Sequence, residues 1–518
     1  MSGVEWTVLD NSNIVESYPG ITLPLTYSFV RMAYRGVFRG LIGANLKNED
    51  ILAKHDDIFD NMIKSYKGRI YYCINNWYSL IDFMPFSKKI IPVWQDMMGV
   101  QNHEVYLGRR HNFTFGQKAK MYWNMAINSI HIPRDMKRLN NDFLKINDYF
   151  DENYRQNLSA AELLALFDEI ERRVLKKWYV TLSNDMYAFI WTGLLKRKMK
   201  KKGLDAAGYI SGITSLESLK PVQALLEIAK KYGNEADLLN NSAVREYIRM
   251  YGDRSPCELK LEVMTYRENP SLLVQKIREY ASDKSKLDDM INSLRGKKAM
   301  PVHNTFALNR ARLGIQNREI SRLNRSRIYG MVRRIFITVG EHLCRDGHID
   351  EPFDVFYLEI GEIREGDAGS YRRIIAGRKA EYAGYEKLPA HSRLIFRGDT
   401  LVDEKAPVHW TGGYTGIGTS AGSVTAEAVV LESPNENADV RGKIIVTKTT
   451  DPGWVFLLTM ASGIVAEKGS LLSHTAIVSR ELKIPAVVAV ENAASVIKTG
   501  DIIKINGETG RVEIVQAY

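Results

Sequence analysis

Glu467-Lys-Gly-Ser-Leu-Leu-Ser-His-Thr-Ala-Ile-Val-Ser-Arg-Glu-Leu-Lys-Ile-Pro485 places a histidine where a strand and a glycine-containing loop give way to a helix. The β-branched run Gly463 to Glu467 predicts the strand, Ser473 is a strong N-cap, and the helix is expected over His474 to Leu482. A histidine in the first helical turn sits at the positive end of the helix dipole. That position disfavours imidazolium and keeps a neutral, nucleophilic nitrogen available near neutral pH. Backbone N–H groups at the same helix start can hold phosphoryl oxygens, so one place suits both a nucleophile and its phosphorylated product. The competing reading is a histidine that merely fills a turn beside its capping serine.

The surroundings of this stretch read as a compact α/β domain. Across Val402-Asp-Glu-Lys-Ala-Pro-Val-His-Trp-Thr-Gly-Gly413 the pattern changes to short β-branched runs separated by Gly and Asn turns, which divides the chain into 1–404 and 405–518. Strands are expected at Val424 to Leu431, Lys443 to Lys448, Gly463 to Glu467, Ala486 to Val490, Asp501 to Asn506 and Arg511 to Val515, with a further helix at Trp454 to Met460. The string Gly416-Ile-Gly-Thr-Ser-Ala421 leads into a strand instead of opening a helix, so a dinucleotide fold is not indicated.

Upstream the apolar spacing is three and four residues, with few alternating runs, which predicts a largely helical body. Ser159-Ala-Ala-Glu162 is a capping box ahead of Leu163, Leu166, Phe167, Ile170 and Val174 on one face. Other helices are expected from Pro221 to Tyr232 and from near Asn304 towards Gly340, and the basic run Lys196 to Lys202 closes one before Gly203. Length and composition fit two or three folded domains: 518 residues, 45% hydrophobic and 25% charged. Three cysteines without a CxxC pair argue against a disulfide framework or a cysteine zinc site. No export signal is apparent and no apolar run reaches the ~20 residues of a membrane span, so a cytoplasmic location is expected. The net charge of +10 lies upstream, since residues 413–518 hold 9 Lys+Arg against 11 Asp+Glu. No recognised motif turns that charge into a nucleic-acid site.

Within the helical body Arg318, Arg322, Arg325 and Arg333 fall within an arc of roughly 80° on one helix. Such a stripe can clamp a phosphoryl group, and its alternative is a solvated face paired with Glu319 and Glu341. Candidate proton acceptors for a substrate hydroxyl are Glu16, Glu258, His303 and Glu362. Tyr71, Tyr72, Trp77 and Tyr78 form either an apolar pocket wall or ordinary core.

From about Gly416 to Val515 the chain resembles the mobile phosphohistidine domain of the phosphoenolpyruvate-utilising, or dikinase, superfamily. The resemblance rests on Ser473-His-Thr-Ala-Ile-Val-Ser-Arg-Glu481, Thr450-Asp-Pro-Gly-Trp454, Ile484-Pro-Ala-Val-Val488 and Gly500-Asp-Ile-Ile-Lys-Ile-Asn-Gly507. It implies that His474 carries a phosphoryl group and that the domain swivels between a nucleotide station and a substrate station. Where the family often has Gly-Gly before the histidine loop, Gly469 is followed by Ser470. Residues 5 to 400 resemble, more distantly, the substrate-binding middle domain of the rifampin phosphotransferase family. The landmarks are Glu16-Ser-Tyr-Pro-Gly-Ile-Thr-Leu-Pro-Leu-Thr26, Gly68-Arg-Ile-Tyr-Tyr72 with Asn76-Trp77, Trp94-Gln-Asp-Met-Met-Gly99, and Tyr251-Gly-Asp-Arg254 with Glu258. In the last of these, Asp253 stands where the family commonly has His.

The resemblance implies a multidomain protein, a mainly α-helical substrate-binding body followed by a compact α/β swivelling phosphohistidine domain. It singles out Arg318 and Arg322, with Arg325, Arg254, Glu258 and Glu16 as further substrate- or phosphate-binding candidates. No segment resembles an ATP-grasp domain, a phosphate loop or the pyruvate-binding barrel. ATP and Mg2+ are therefore expected through a separate ATP-grasp partner chain, and the acceptor is expected to be a small molecule other than pyruvate. A phosphohistidine carrier or regulatory binding protein without acceptor chemistry is the alternative.

Overall fold

Tyr66-Lys67-Gly68-Arg69 turns a two-residue hairpin, with Lys67 at φ 47° and Gly68 at φ 68°, the left-handed pair such tight turns need. It joins β2 (Ile63–Tyr66) to β3 (Arg69–Cys73), so the Gly68 to Tyr72 landmark is a strand and its turn. The computed structural model describes residues 6–11, 14–83, 91, 113–200, 220–255, 259–282, 284–294, 306–389, 391–404, 414–432, 438–450, 454–469 and 473–517. In it, β1 (Trp6–Asp10), β4 (Arg393–Arg397) and β5 (Thr400–Glu404) complete an antiparallel sheet of order β2-β3-β1-β4-β5. This sheet adds to the largely helical upstream part strands that the sequence pattern leaves unplaced. Its strands are only four or five residues long, and β1 pairs with β4 from Trp6↔Arg397 to Asp10↔Arg393, nearly four hundred residues away. Local periodicity cannot register so distant a partner. The buried pair Arg393 Nε to Asp10 Oδ2, 3.0 Å, secures the register.

The rest of the upstream part is helical. Pro24 opens the helix Pro24–Leu46 at its first turn, where a missing N–H costs nothing. The predicted capping box forms, Ser159 Oγ accepting from Glu162 N and Glu162 accepting from Ser159 N ahead of the helix Ala160–Arg173. The expected helices near 221–232 and 304–340 occupy Lys220–Tyr232 and Phe306–Arg345. Phe306–Arg345 has 40 residues, about 60 Å at 1.5 Å per residue, and packs along Tyr179–Lys200. Close approach depends on Gly314, where a Cβ would lie 2.8 Å from that of Ala188. Phe29, Phe143, Phe150, Phe167 and Phe336 fill the core between these helices.

The second sheet takes strands only from residues 414–516, in the order β6-β13-β12-β8-β9-β10-β11-β7. They are β6 (Tyr414–Thr415), β7 (Ile417–Ser420), β8 (Ser423–Leu431), β9 (Ile444–Thr447), β10 (Gly463–Ala466), β11 (Ala486–Val488), β12 (Ile502–Asn506) and β13 (Arg511–Gln516). Strands β8 to β11 are parallel and the remaining pairs antiparallel. Every residue of β9, β10 and β11 is buried, as expected of parallel strands covered on both faces. Ile445, Ile464 and Ala486 face one apolar cluster that also holds Leu226, Leu273 and Ile277 of the helices Lys220–Tyr232 and Pro270–Ser282. Val446, Val465 and Val487 face the opposite core. No helix among the described residues is long and apolar enough to cross a membrane.

Candidate functional site

Strand β10 runs into Glu467, Lys468 and Gly469, and the helix His474–Leu482 crosses back to parallel β11. Gly469 has φ 139°, and a Cβ there would lie 3.0 Å from Val488 Cβ and 3.1 Å from Ser473 Oγ, so both backbone and space call for glycine. Ser473 Oγ accepts from Ala476 N at 3.3 Å, and His474 is the first residue of the helix. The backbone of His474 is described and its side chain is not. The Thr450 and Trp454 landmarks brace this turn: Thr450 Oγ1 and Thr475 Oγ1 share a 2.6 Å hydrogen bond, and Trp454 is buried in the apolar cluster below. Arg480, also buried, donates from Nε to Thr419 O at 2.6 Å and ties the helix to β7. At the end of β10, burial holds the Glu467 carboxyl above the ordinary range, against the Ala494 N–H donated to it at 2.9 Å. Ser470, Glu258 and His303 lie outside the described residues, as does the Glu16 side chain.

The arginines expected as one stripe occupy four environments, because the long helix meets different neighbours as it rises about 22 Å from Arg318 to Arg333. Arg318 reaches Asp185 at 3.1 Å, and Arg322 lies 3.8 Å from Glu319. Arg325 lies one turn before Tyr329 on the same helix face, the Tyr329 hydroxyl is bonded to that of Tyr18, and the Arg325 charge acts on these phenols and on that of Tyr34. Arg333, 3% exposed, donates from Nε to both Glu268 oxygens at 2.7 and 2.9 Å and from Nη1 to Leu261 O. The alternative of a solvated face paired with Glu319 and Glu341 holds only in the Arg322–Glu319 contact, since Arg318 and Arg333 are largely packed.

Arg254 lies in the turn after the helix Ser242–Tyr251, where its carbonyl accepts from Tyr266 N. Neighbouring Asp253 is buried 3.1 Å from Arg267 Nε and 3.7 Å from Arg334 Nη2, so the position that departs from the family pattern serves a charge cluster. A Cβ on Gly330 would sit 2.5 Å from Asp253 Cβ. Gly330→Ala is expected to force that cluster apart and cost about 1–3 kcal/mol despite alanine's better helix propensity, read as a lowered denaturant midpoint at unchanged m.

Packing decides two readings that the sequence leaves open. Glu362 is occupied as a fold element: it accepts Glu359 N at 2.7 Å and binds Arg378 at 2.7 and 2.9 Å. Burial works against its charge, but Arg378 and the Glu359 N–H hold it below the ordinary carboxylate range. Tyr71, Tyr72 and Trp77 are core, Trp77 meeting Tyr72 and Phe38 edge-on, with Tyr78 packed against them. The apolar opening is elsewhere. A cavity of about 500 Å³ lies between Pro24–Leu46, Phe115–Asn153, Tyr179–Lys200 and the start of Phe306–Arg345, lined by Leu41, Met125, Ile130, Tyr187, Trp191 and Phe306 among others. Helical periodicity identifies each apolar face without showing where three of them fail to close.

Glu319, expected as an ion-pair partner on a solvated face, is instead 1% exposed, with Arg322 Nη1 3.8 Å away and neither carboxylate oxygen hydrogen-bonded among the described residues. Among the described residues no group of three or more His, Cys, Asp or Glu is placed to hold a metal ion.

Residues 440–510 match the family model for the PEP-utilising enzyme mobile domain. Among curated proteins, the chain is 31% identical over 334 residues to rifampicin phosphotransferase of Bacillus subtilis, an alignment covering 59% of this chain and 38% of that protein. It is 24% identical over 551 aligned positions to an uncharacterised Mycobacterium tuberculosis protein, covering 98% of this chain and 61% of the relative. It is 26% identical over 333 residues to the uncharacterised phosphotransferase YvkC of Bacillus subtilis, covering 58% and 39%. The chain thus spans between about two fifths and three fifths of the length of these relatives. Within the C-terminal α/β unit, residues 440–510 are thus similar to the mobile domain of phosphoenolpyruvate-utilising enzymes.

Proposed function

We propose that this chain is a phosphotransferase component in which His474 accepts a phosphoryl group and passes it to a small-molecule acceptor held by the helical part. The single observation behind this reading is the position of His474 as first residue of a Ser473-capped helix within the segment that matches the mobile domain. A neutral imidazole nitrogen there attacks phosphorus, the leaving group departs with its bonding pair, and the helix N–H groups receive the phosphoryl oxygens. ATP and Mg2+ belong, in this reading, to an ATP-grasp partner chain, and the α/β domain swivels between that partner and the acceptor station. In the second transfer the acceptor's hydroxyl, amine or amide displaces the histidine nitrogen and gives up its proton. Arg318 and Arg322 would neutralise the phosphoryl charge as it moves. The roomy, mostly apolar cavity beside Leu41 and Trp191 favours an acceptor with a sizeable apolar body.

Replacing Arg318 and Arg322 together by alanine should leave phosphorylation of His474 intact and slow single-turnover transfer to acceptor at least about tenfold, the effect of one lost charge-assisted hydrogen bond. Unchanged transfer at unchanged melting temperature would confine the two arginines to their ion pairs with Asp185 and Glu319. Failure of the phosphorylated wild-type chain to discharge onto any hydroxyl, amine or amide acceptor would leave a phosphohistidine carrier instead.

A further inference from the structure

Arg325 differs from Arg318, Arg322 and Arg333 on the same long helix. Arg318, Arg322 and Arg333 each have a carboxylate within 4 Å, whereas Arg325 makes no ion pair and no hydrogen bond among the described residues, and its Nε is buried without an acceptor. A half-buried guanidinium left in that state is unfavourable, because its lost hydration is not replaced. What surrounds it is rich in donors. Tyr18 and Tyr329, each 4% exposed, share a hydroxyl hydrogen bond of 2.5 Å. Two hydroxyls carry two protons and only one lies between them, so the pair has a further O–H to donate. Tyr34, half-buried, pairs with Tyr72 at 3.2 Å. Burial raises Tyr18, Tyr34 and Tyr329 above the ordinary phenol range although the Arg325 charge pulls each the other way, so all three remain protonated donors at neutral pH.

We infer that Arg325, the Tyr18–Tyr329 hydroxyl pair and Tyr34 form a binding niche for a phosphate-class oxyanion. A tetrahedral oxyanion supplies what this group of side chains lacks: negative charge for the guanidinium and acceptor oxygens for the surplus phenol protons. Tyr34 and cavity-lining Leu41 are seven residues apart on the helix Pro24–Leu46, hence on one face and roughly 10 Å apart along it. A ligand with an apolar body in the cavity and a phosphoryl group in the niche fits that spacing. The source of the phosphate rests on the phosphotransfer reading; the niche itself does not.

The experiment is calorimetric titration of the full chain carrying His474→Ala with inorganic phosphate and, separately, with phenyl phosphate, which keeps the result independent of any partner or transfer. Saturable one-site binding is expected for at least one of the two, weakened at least about tenfold by Arg325→Gln and by several fold in Tyr18→Phe. Arg327→Gln removes the same charge two residues away, where Arg327 donates to Met250 O, and should change binding less than twofold. Binding of inorganic phosphate assigns the niche to free anion as well as ester, and binding of phenyl phosphate alone assigns it to a phosphorylated acceptor. No saturable binding, binding indifferent to Arg325→Gln in a variant of unchanged melting temperature, or an equal loss in Arg327→Gln overturns the inference. Should Arg325→Gln fail to fold, Tyr18→Phe carries the same decision.

Discussion

On the proposed function, His474→Ala should abolish acid-labile phosphorylation of the chain, from stoichiometric labelling with ATP and the proposed ATP-grasp partner to background, and with it all transfer to acceptor. The loss is complete because no other group at that helix start can form the phosphoramidate; a missing nucleophile is not a weakened one. Folding should be untouched. Alanine is well tolerated in a first helical turn, and Ser473 still caps through Ala476 N, so the change stays within about 0.5 kcal/mol and moves the melting temperature by no more than a few degrees. Ser473→Ala makes the opposite comparison, costing about 1 kcal/mol through the lost cap while leaving the imidazole in place. Label that persists in His474→Ala at stoichiometric level would move the carrier to another residue and remove the basis of the proposed function.

Arg333→Met should destabilise the protein by about 1–3 kcal/mol, seen as a fall in denaturant midpoint. The substitution keeps much of the side-chain volume, so its cost comes from what is stranded: the Glu268 carboxylate, which also accepts Thr265 N and Oγ1, and the Leu261 carbonyl. Arg333 further lies over the Phe356 ring at 5.0 Å, a contact methionine replaces only in part. The double variant Arg333→Met with Glu268→Gln should recover part of the loss, since the partly exposed group left beside the methionine is then uncharged. A solvated arginine would give less than about 0.5 kcal/mol, and that result would return Arg333 to the exposed stripe its helical spacing suggests.

What could be read along the chain is what depends on neighbours in sequence. The Ser159 and Ser473 caps, the left-handed turn at Lys67-Gly68, the short strands Ile444–Thr447 and Gly463–Ala466, and the entry of His474 into its helix all arise from contacts within a few residues. Apart from the local Arg322–Glu319 contact, tertiary structure decides which of four similarly spaced arginines meet a carboxylate. Asp185, Glu268 and Tyr18 arrive from other elements, 133, 65 and 307 residues from the arginine each faces. It also decides that β1 finds β4, that Glu362 serves Arg378 rather than a substrate, and that the cavity opens beside Trp191 rather than Trp77. The physical reason is common to all of these. Period and capping specify which way a side chain points from its own element, while charge pairing, burial and open volume are properties of the space between elements, settled only when the chain has closed.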